Sequence, residues 1–202
     1  MSQSKRSIWV FADYRNYFQN RVTLQLLAKA NVLATGMDAE VCAVVFGHET
    51  DEYVSEYIAH GAQKVLLIEH PSLNQYSVEK FTVLMEKLAT DHRPEIILIG
   101  ATSFGREFAP RVAKRLGTGL TADCIGLEIT SEGHLLQIAP SFGGNLIAEI
   151  ITPDHRPQMA TVRPGTFQEL PHDNTRRGEI VRIPMPKKIP ADRLRLVAYE
   201  RR

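Results

Sequence analysis

The sequence predicts an α/β fold: a doubly wound, mostly parallel sheet with an antiparallel extension on one edge. Three observations lead there. Short apolar runs alternate four times with amphipathic stretches of helical period. The fourth run, Ile96 to Ile99, is continuous enough to be buried on both faces, as strands of parallel sheets are. After Leu120 the helical windows stop while strand-length runs go on.

Residues 8–12 read as the first strand. Residues 22–33 carry Val22, Leu26, Leu27, Ala30 and Leu33 on one helical face and stop near Gly36. Residues 39–46 form the second strand, closed by Gly47, and residues 51–60 a helix with Val54, Tyr57 and Ile58 inward and Gly61 just beyond its end. Residues 64–68 are the third strand, residues 78–89 the third helix, and Ile96 opens the fourth strand. Phe104, Phe108, Val112 and Leu116 recur every four residues, so residues 104–116 form a helix with one apolar face. Short connections between these elements imply right-handed crossovers. Runs at 125–129, 135–138, 146–151 and 158–162 are expected to pair antiparallel and extend the sheet. After Pro164-Gly165 the pattern is lost. Pro171, Pro184, Pro186 and Pro190 exclude a continuous helix or a central strand, so residues 166–202 read as an arm or linker, with a last strand at 194–199. Residues 1–165 then make one α/β domain.

Composition narrows the function classes. Twenty-four Lys and Arg against 23 Asp and Glu give a net charge of +1, with no long basic run, which argues against a nucleic-acid partner. No stretch approaches the ~20 apolar residues that span a bilayer, and the amino terminus has no signal-peptide character, so a cytoplasmic protein is expected. Cys42 and Cys124 sit in apolar surroundings without a pairing pattern and read as reduced core thiols. The seven histidines make no His-x-x-x-His or His-Cys cluster, so no zinc site is expected. There is no Gly-x-Ser-x-Gly elbow.

The candidate sites gather at the predicted carboxyl edge. Gly100, Thr102, Ser103 and Gly105 form a strand-to-helix turn where backbone N–H groups and a helix dipole would favour an anion. The competing reading is that the two hydroxyls cap the helix. The turn lacks both the Gly-x-Gly-x-x-Gly fingerprint and a P-loop lysine, which favours capping. Asp13, at the end of the first strand, would meet a ribose hydroxyl in a nucleotide binder and otherwise caps a helix or turn. Arg106 and Arg111 flank the helix and suit bidentate contacts with carboxylates across an interface. Thr121 and Asp123 follow a Gly-Thr-Gly turn; without a His or Lys close in sequence, Asp123 is expected to accept backbone or hydroxyl hydrogen bonds.

The order of residues is more specific than these arguments require. Gly100-Ala101-Thr102-Ser103, Gly105-Arg106, Ala109-Pro110-Arg111 and the run from Leu116 through Cys124 resemble the amino-terminal domain of electron transfer flavoprotein alpha subunits. Phe142-Gly143-Gly144-Asn145, the run from Arg156 to Gly165 and the opening Ile8-Trp9-Val10-Phe11-Ala12 agree, so the resemblance covers roughly residues 7 to 180. It implies an adenine nucleotide alpha hydrolase-like fold and an electron carrier rather than an enzyme. It also implies a heterodimer with a beta subunit, and FAD carried in a carboxyl-terminal domain. That domain opens with a Ser-Gly-Gly-Arg-Gly segment before which this sequence stops, so a truncated chain is expected. In the family the bound AMP belongs to the beta subunit. This segment is therefore expected to hold no cofactor and to dock the beta subunit as a scaffold, while the complete protein serves flavin dehydrogenases and an acceptor. A stand-alone adenine-nucleotide-binding domain of the same fold is the alternative, and a homodimer through the antiparallel edge is a third.

Overall fold

A computed structural model describes residues 6–15, 17–144 and 146–189; the strand expected at 194–199 lies outside them. The elements are β1 (Ser7–Phe11), α1 (Tyr17–Thr35), β2 (Glu40–Gly47), α2 (Asp51–Ala59), β3 (Lys64–Glu69), α3 (Val78–His92), β4 (Ile96–Gly100) and α4 (Ser103–Leu116). There follow β5 (Leu120–Cys124), β6 (Gly126–Ile129), β7 (Leu135–Ser141), β8 (Leu146–Ile150), β9 (Gln158–Val162) and β10 (Glu179–Arg182).

Seven strands form the main sheet in the order β10-β3-β2-β1-β4-β9-β5, and every pairing in it is parallel. Alternation along β1 sorts its side chains. Ile8 and Val10 pack with α1, Val54 and Tyr57, whereas Trp9 and Phe11 pack with α3 and α4 through Phe81, Leu84, Met85 and Phe108. Helices therefore cover both faces, as a doubly wound sheet requires. Sequence fixes the helix ends locally. Ser77 accepts a hydrogen bond from the Lys80 amide at the start of α3, and Gly117 ends α4 at φ 67°.

The mostly parallel sheet is as expected, but the antiparallel part differs. Strands β6, β7 and β8 form a separate three-stranded sheet. Residues 158–162, expected among the antiparallel strands, instead lie between β4 and β5 as a fully buried parallel strand. All five residues of β9 are buried, including Gln158 and Thr161, so these two polar residues hid a central strand. Strand β5, which the sequence reading did not assign, pairs with β9 and carries a register shift between Thr121 and Cys124. Strand β10 was likewise unassigned. It pairs with β3 at the opposite edge, where prolines on either side of a short strand are tolerated.

Both cysteines are core residues, 2% and 0% exposed for Cys42 and Cys124. Burial pushes each thiol up from an ordinary value near 9 to about 12, with the Glu40 carboxylate adding to the effect at Cys42. The thiolate is the reactive form, so a thiol reagent at pH 8 should leave the folded protein unlabelled and label both positions once denaturant is added. Because the unfolded chain releases these protons first, the stability they contribute is present below pH 9 and falls as pH rises from about 9 toward 12. Urea midpoints measured across that range should decline, and a flat profile would contradict this.

Candidate functional site

Strands β1, β4, β9 and β5 all end at one rim of the sheet, and the loops beyond them carry two polar clusters. The first is built on the end of β4. Gly100 and Gly105 are needed because of close approach: a Cβ on Gly105 would lie 1.8 Å from the Gly100 carbonyl oxygen, and one on Gly100 would lie 2.7 Å from Cγ1 of Val22. This lets the first turn of α4 sit directly on the strand end. Thr102 is the N-cap of that helix, its Oγ1 accepting from the Gly105 amide at 3.1 Å. The same hydroxyl donates to Oδ2 of Asp13 at 2.9 Å. Asp13 is 6% exposed, and its two oxygens also receive Nε and Nη2 of Arg15, each at 2.8 Å.

Of the predicted residues, Asp13, Gly100, Thr102 and Gly105 are thus brought together. The capping reading holds for Thr102, while Ser103 is exposed. Among the described residues the Asp13 carboxylate accepts from the capping hydroxyl of Thr102 and from Arg15, not from a helix amide. Arg15 was missed by sequence reasoning, although Asp-x-Arg after an apolar strand was a legible signal.

The second cluster lies toward the β5 edge. Asp123 has φ 57°, a left-handed conformation that costs a non-glycine residue about 1 kcal/mol, and it sits in the register shift of β5. Its amide donates to Oγ1 of Thr161 at 2.9 Å. Its Oδ2 receives Nη2 and Nε of Arg163 at 2.6 and 3.2 Å. The carboxylate was expected to accept backbone or hydroxyl hydrogen bonds; a guanidinium from the loop after β9 takes it instead. Arg106 donates from Nε to the Ala101 carbonyl at 3.1 Å and brings Nη2 to 3.9 Å from Oδ1 of Asp123. Arg106, Asp123 and Thr161 line, with Pro110, Leu120 and Ala122, an open cavity of about 340 Å³. Thr121 is buried in β5 opposite Ala160 and stands apart from both clusters.

A third feature is apolar. Strand β8 is an edge strand of the small sheet, and Leu146, Ile147, Ile150 and Ile151 are 58%, 65%, 38% and 45% exposed. Among the described residues, no group of three or more His, Cys, Asp or Glu is placed to hold a metal ion. No described helix is long and apolar enough to cross a membrane.

Two substitutions test the first cluster. Gly105→Ala forces a methyl into a backbone oxygen that cannot rotate away, so it should destabilise by about 3 kcal/mol or more, near the top of the overpacking range. Thr102→Val removes the cap and leaves the buried Asp13 oxygen short of a donor, for a loss of about 1–3 kcal/mol. Urea unfolding monitored by circular dichroism measures both; a midpoint unchanged by Gly105→Ala would contradict the close-approach argument.

Residues 8–188 match the family model described as the electron transfer flavoprotein domain. The electron transfer flavoprotein subunit alpha of Thermoanaerobacterium thermosaccharolyticum is 44% identical over 178 residues, covering 88% of this chain and 54% of that protein. Its namesake from Clostridium acetobutylicum is 46% identical over 167 residues, covering 82% and 50%. A subunit of Acetobacterium woodii named lactate dehydrogenase (NAD(+),ferredoxin) subunit LctC is 37% identical over 182 residues, covering 90% and 44%. The chain spans about half the length of the curated relatives it matches. By the extent of these matches, the chain belongs to the electron transfer flavoprotein domain family.

Proposed function

We propose that this α/β body, residues 1–165 with the arm that follows, is the scaffold domain of an alpha-type electron carrier subunit and docks a beta subunit. In this reading FAD is carried outside this domain. The electron transfer subunit names of the curated relatives support the carrier role. In that reading the domain performs no bond-making chemistry. It holds its neighbour in place while the flavin passes electrons between flavin dehydrogenases and an acceptor. Asp13, Gly100, Thr102, Ser103, Gly105, Arg106, Thr121 and Asp123 then serve the scaffold rather than a cofactor, and a cytoplasmic heterodimer is the working form.

The observation that carries the docking role is the exposed edge of β8. Three large aliphatic side chains of β8, Leu146, Ile147 and Ile150, and Ile151 just after it are exposed, and among the described residues the outer edge of this strand has no neighbour in the sheet. Such an edge is a template for strand addition by another polypeptide, with backbone hydrogen bonds giving affinity and side chains giving selectivity. The cluster around Asp13 favours the same reading over nucleotide binding. The crevice beside Asp13 holds about 60 Å³, well below the ~300 Å³ of small-molecule pockets.

Mixing the purified domain with an electron transfer flavoprotein beta subunit should yield a 1:1 complex in size-exclusion chromatography with light scattering. Ile147→Lys should weaken that complex at least tenfold without changing the unfolding midpoint, because the residue is 65% exposed. A complex indifferent to Ile147→Lys and Leu146→Lys would reject β8 as the docking edge. A concentration-dependent dimer of the domain alone would favour self-association, and stoichiometric retention of AMP would favour a nucleotide-binding domain.

A further inference from the structure

Open α/β sheets receive ligands in the crevice beyond the carboxyl ends of the strands, where the strand order reverses direction. In this sheet that point lies between β1 and β4. The crevice there is walled by rings from separate segments: Phe11, Phe46, Tyr76, Phe81 and Phe104. Aromatic walls at a switch point describe a place for a flat ligand, yet only about 60 Å³ of it is open. The space is taken by Arg15.

The guanidinium of Arg15 lies 4.0 Å from the centroid of the Phe104 ring and 5.0 Å from that of Tyr76. Its Nε and Nη2 form two parallel hydrogen bonds of 2.8 Å to the two oxygens of Asp13. Asp13 is itself fixed from the other side by the Thr102 hydroxyl. A flat group with its face on an aromatic ring and its edge in a carboxylate fork is bound as a ligand is bound. One further group in the wall lacks a match: the Tyr76 hydroxyl oxygen is buried and has no hydrogen-bond partner.

We propose that the crevice is a binding site for a planar group with two adjacent N–H donors, of guanidine or amidine type, and that Arg15 is its resident occupant. The chain supplies from its own β1–α1 loop the edge that Asp13 selects, and so keeps the switch point closed to other flat ligands. Residence is self-sustaining, since a carboxylate as buried as Asp13 is strongly disfavoured without a paired charge. This inference is independent of the docking role of β8, which lies in the other sheet.

The test is to remove the occupant and supply its edge in solution. Arg15→Ala should bind methylguanidinium, seen as saturation-transfer NMR signal at its methyl group and as a rise in Tm. Methylammonium, equal in charge but lacking the flat two-donor edge, should bind at least tenfold more weakly. Wild type should respond to neither, and Asp13→Asn in the Arg15→Ala background should abolish the response. Equal responses of wild type and variant, a folded variant that binds nothing, or failure to tell methylguanidinium from methylammonium would each overturn the proposal. Should Arg15→Ala fail to fold, wild type still decides. A seated Arg15 should show a slowly exchanging Nε proton and δ-methylene protons shifted upfield by the Phe104 ring, and averaged random-coil signals there would refute it.

Discussion

Strands β4 and β9 contain no exposed residue, so both faces of the main sheet must be covered before the sheet can exist in water. Much of the architecture follows from that constraint. Helices α1 and α2 cover one face, α3 and α4 the other, and the clusters they complete contain the largest fully buried side chains, among them Trp9, Tyr57, Phe11 and Phe108. At roughly 25 cal/mol per Å² of apolar surface removed from water, such residues dominate what favours folding. The polar groups of the candidate site lie at the rim where the carboxyl ends of β1, β4, β9 and β5 give way to loops.

That rim is where sequence detail acquires geometric meaning. Gly105 permits contact between α4 and the end of β4, Thr102 caps the helix that results, and the second hydrogen bond of its hydroxyl ties Asp13 to the same point. Two loops separated by 89 positions in the chain are thereby fixed to each other. Toward the β5 edge the same logic uses a different device. A register shift and a left-handed residue turn Asp123 into the reach of Arg163. Each cluster pairs a carboxylate with a guanidinium, yet they are not equivalent. The side chains of Arg15 and Asp13 are 34% and 6% exposed against 48% and 33% for Arg163 and Asp123, so solvent screens the second pair more than the first.

How much of this was legible in the sequence depended on the range of the interactions involved. Elements through α4 were readable because period and punctuation are local: four-residue apolar spacing in α4, glycine after α4, apolar continuity in β4. Strand β9 was assigned to the wrong neighbours because pairing is a tertiary fact, and Gln158 and Thr161 resemble the half-exposed pattern of an antiparallel strand. In the fold both are fully covered, and Gln158 accepts a hydrogen bond from the Leu135 amide of β7. Strand β10 escaped notice among prolines because its place is decided by the open edge of β3. At the site, the capping role of Thr102 was local and readable, whereas the partners of Asp123 come from 40 residues further along the chain and were not.

The position of β10 has a geometric corollary. It flanks β3 on one margin of the main sheet, while β5 closes the other, and β7 packs near β5. Six interstrand spacings of about 4.8 Å separate the two margins, a span of roughly 29 Å. Residues 183–189 therefore leave the main sheet on the flank remote from the aliphatic rim of the small sheet. There Ile183, Met185 and Ile189 pack against the cluster that holds Trp9 and Phe81, so the two margins are finished by different means: one by a late strand with its own apolar anchors, the other by a small sheet.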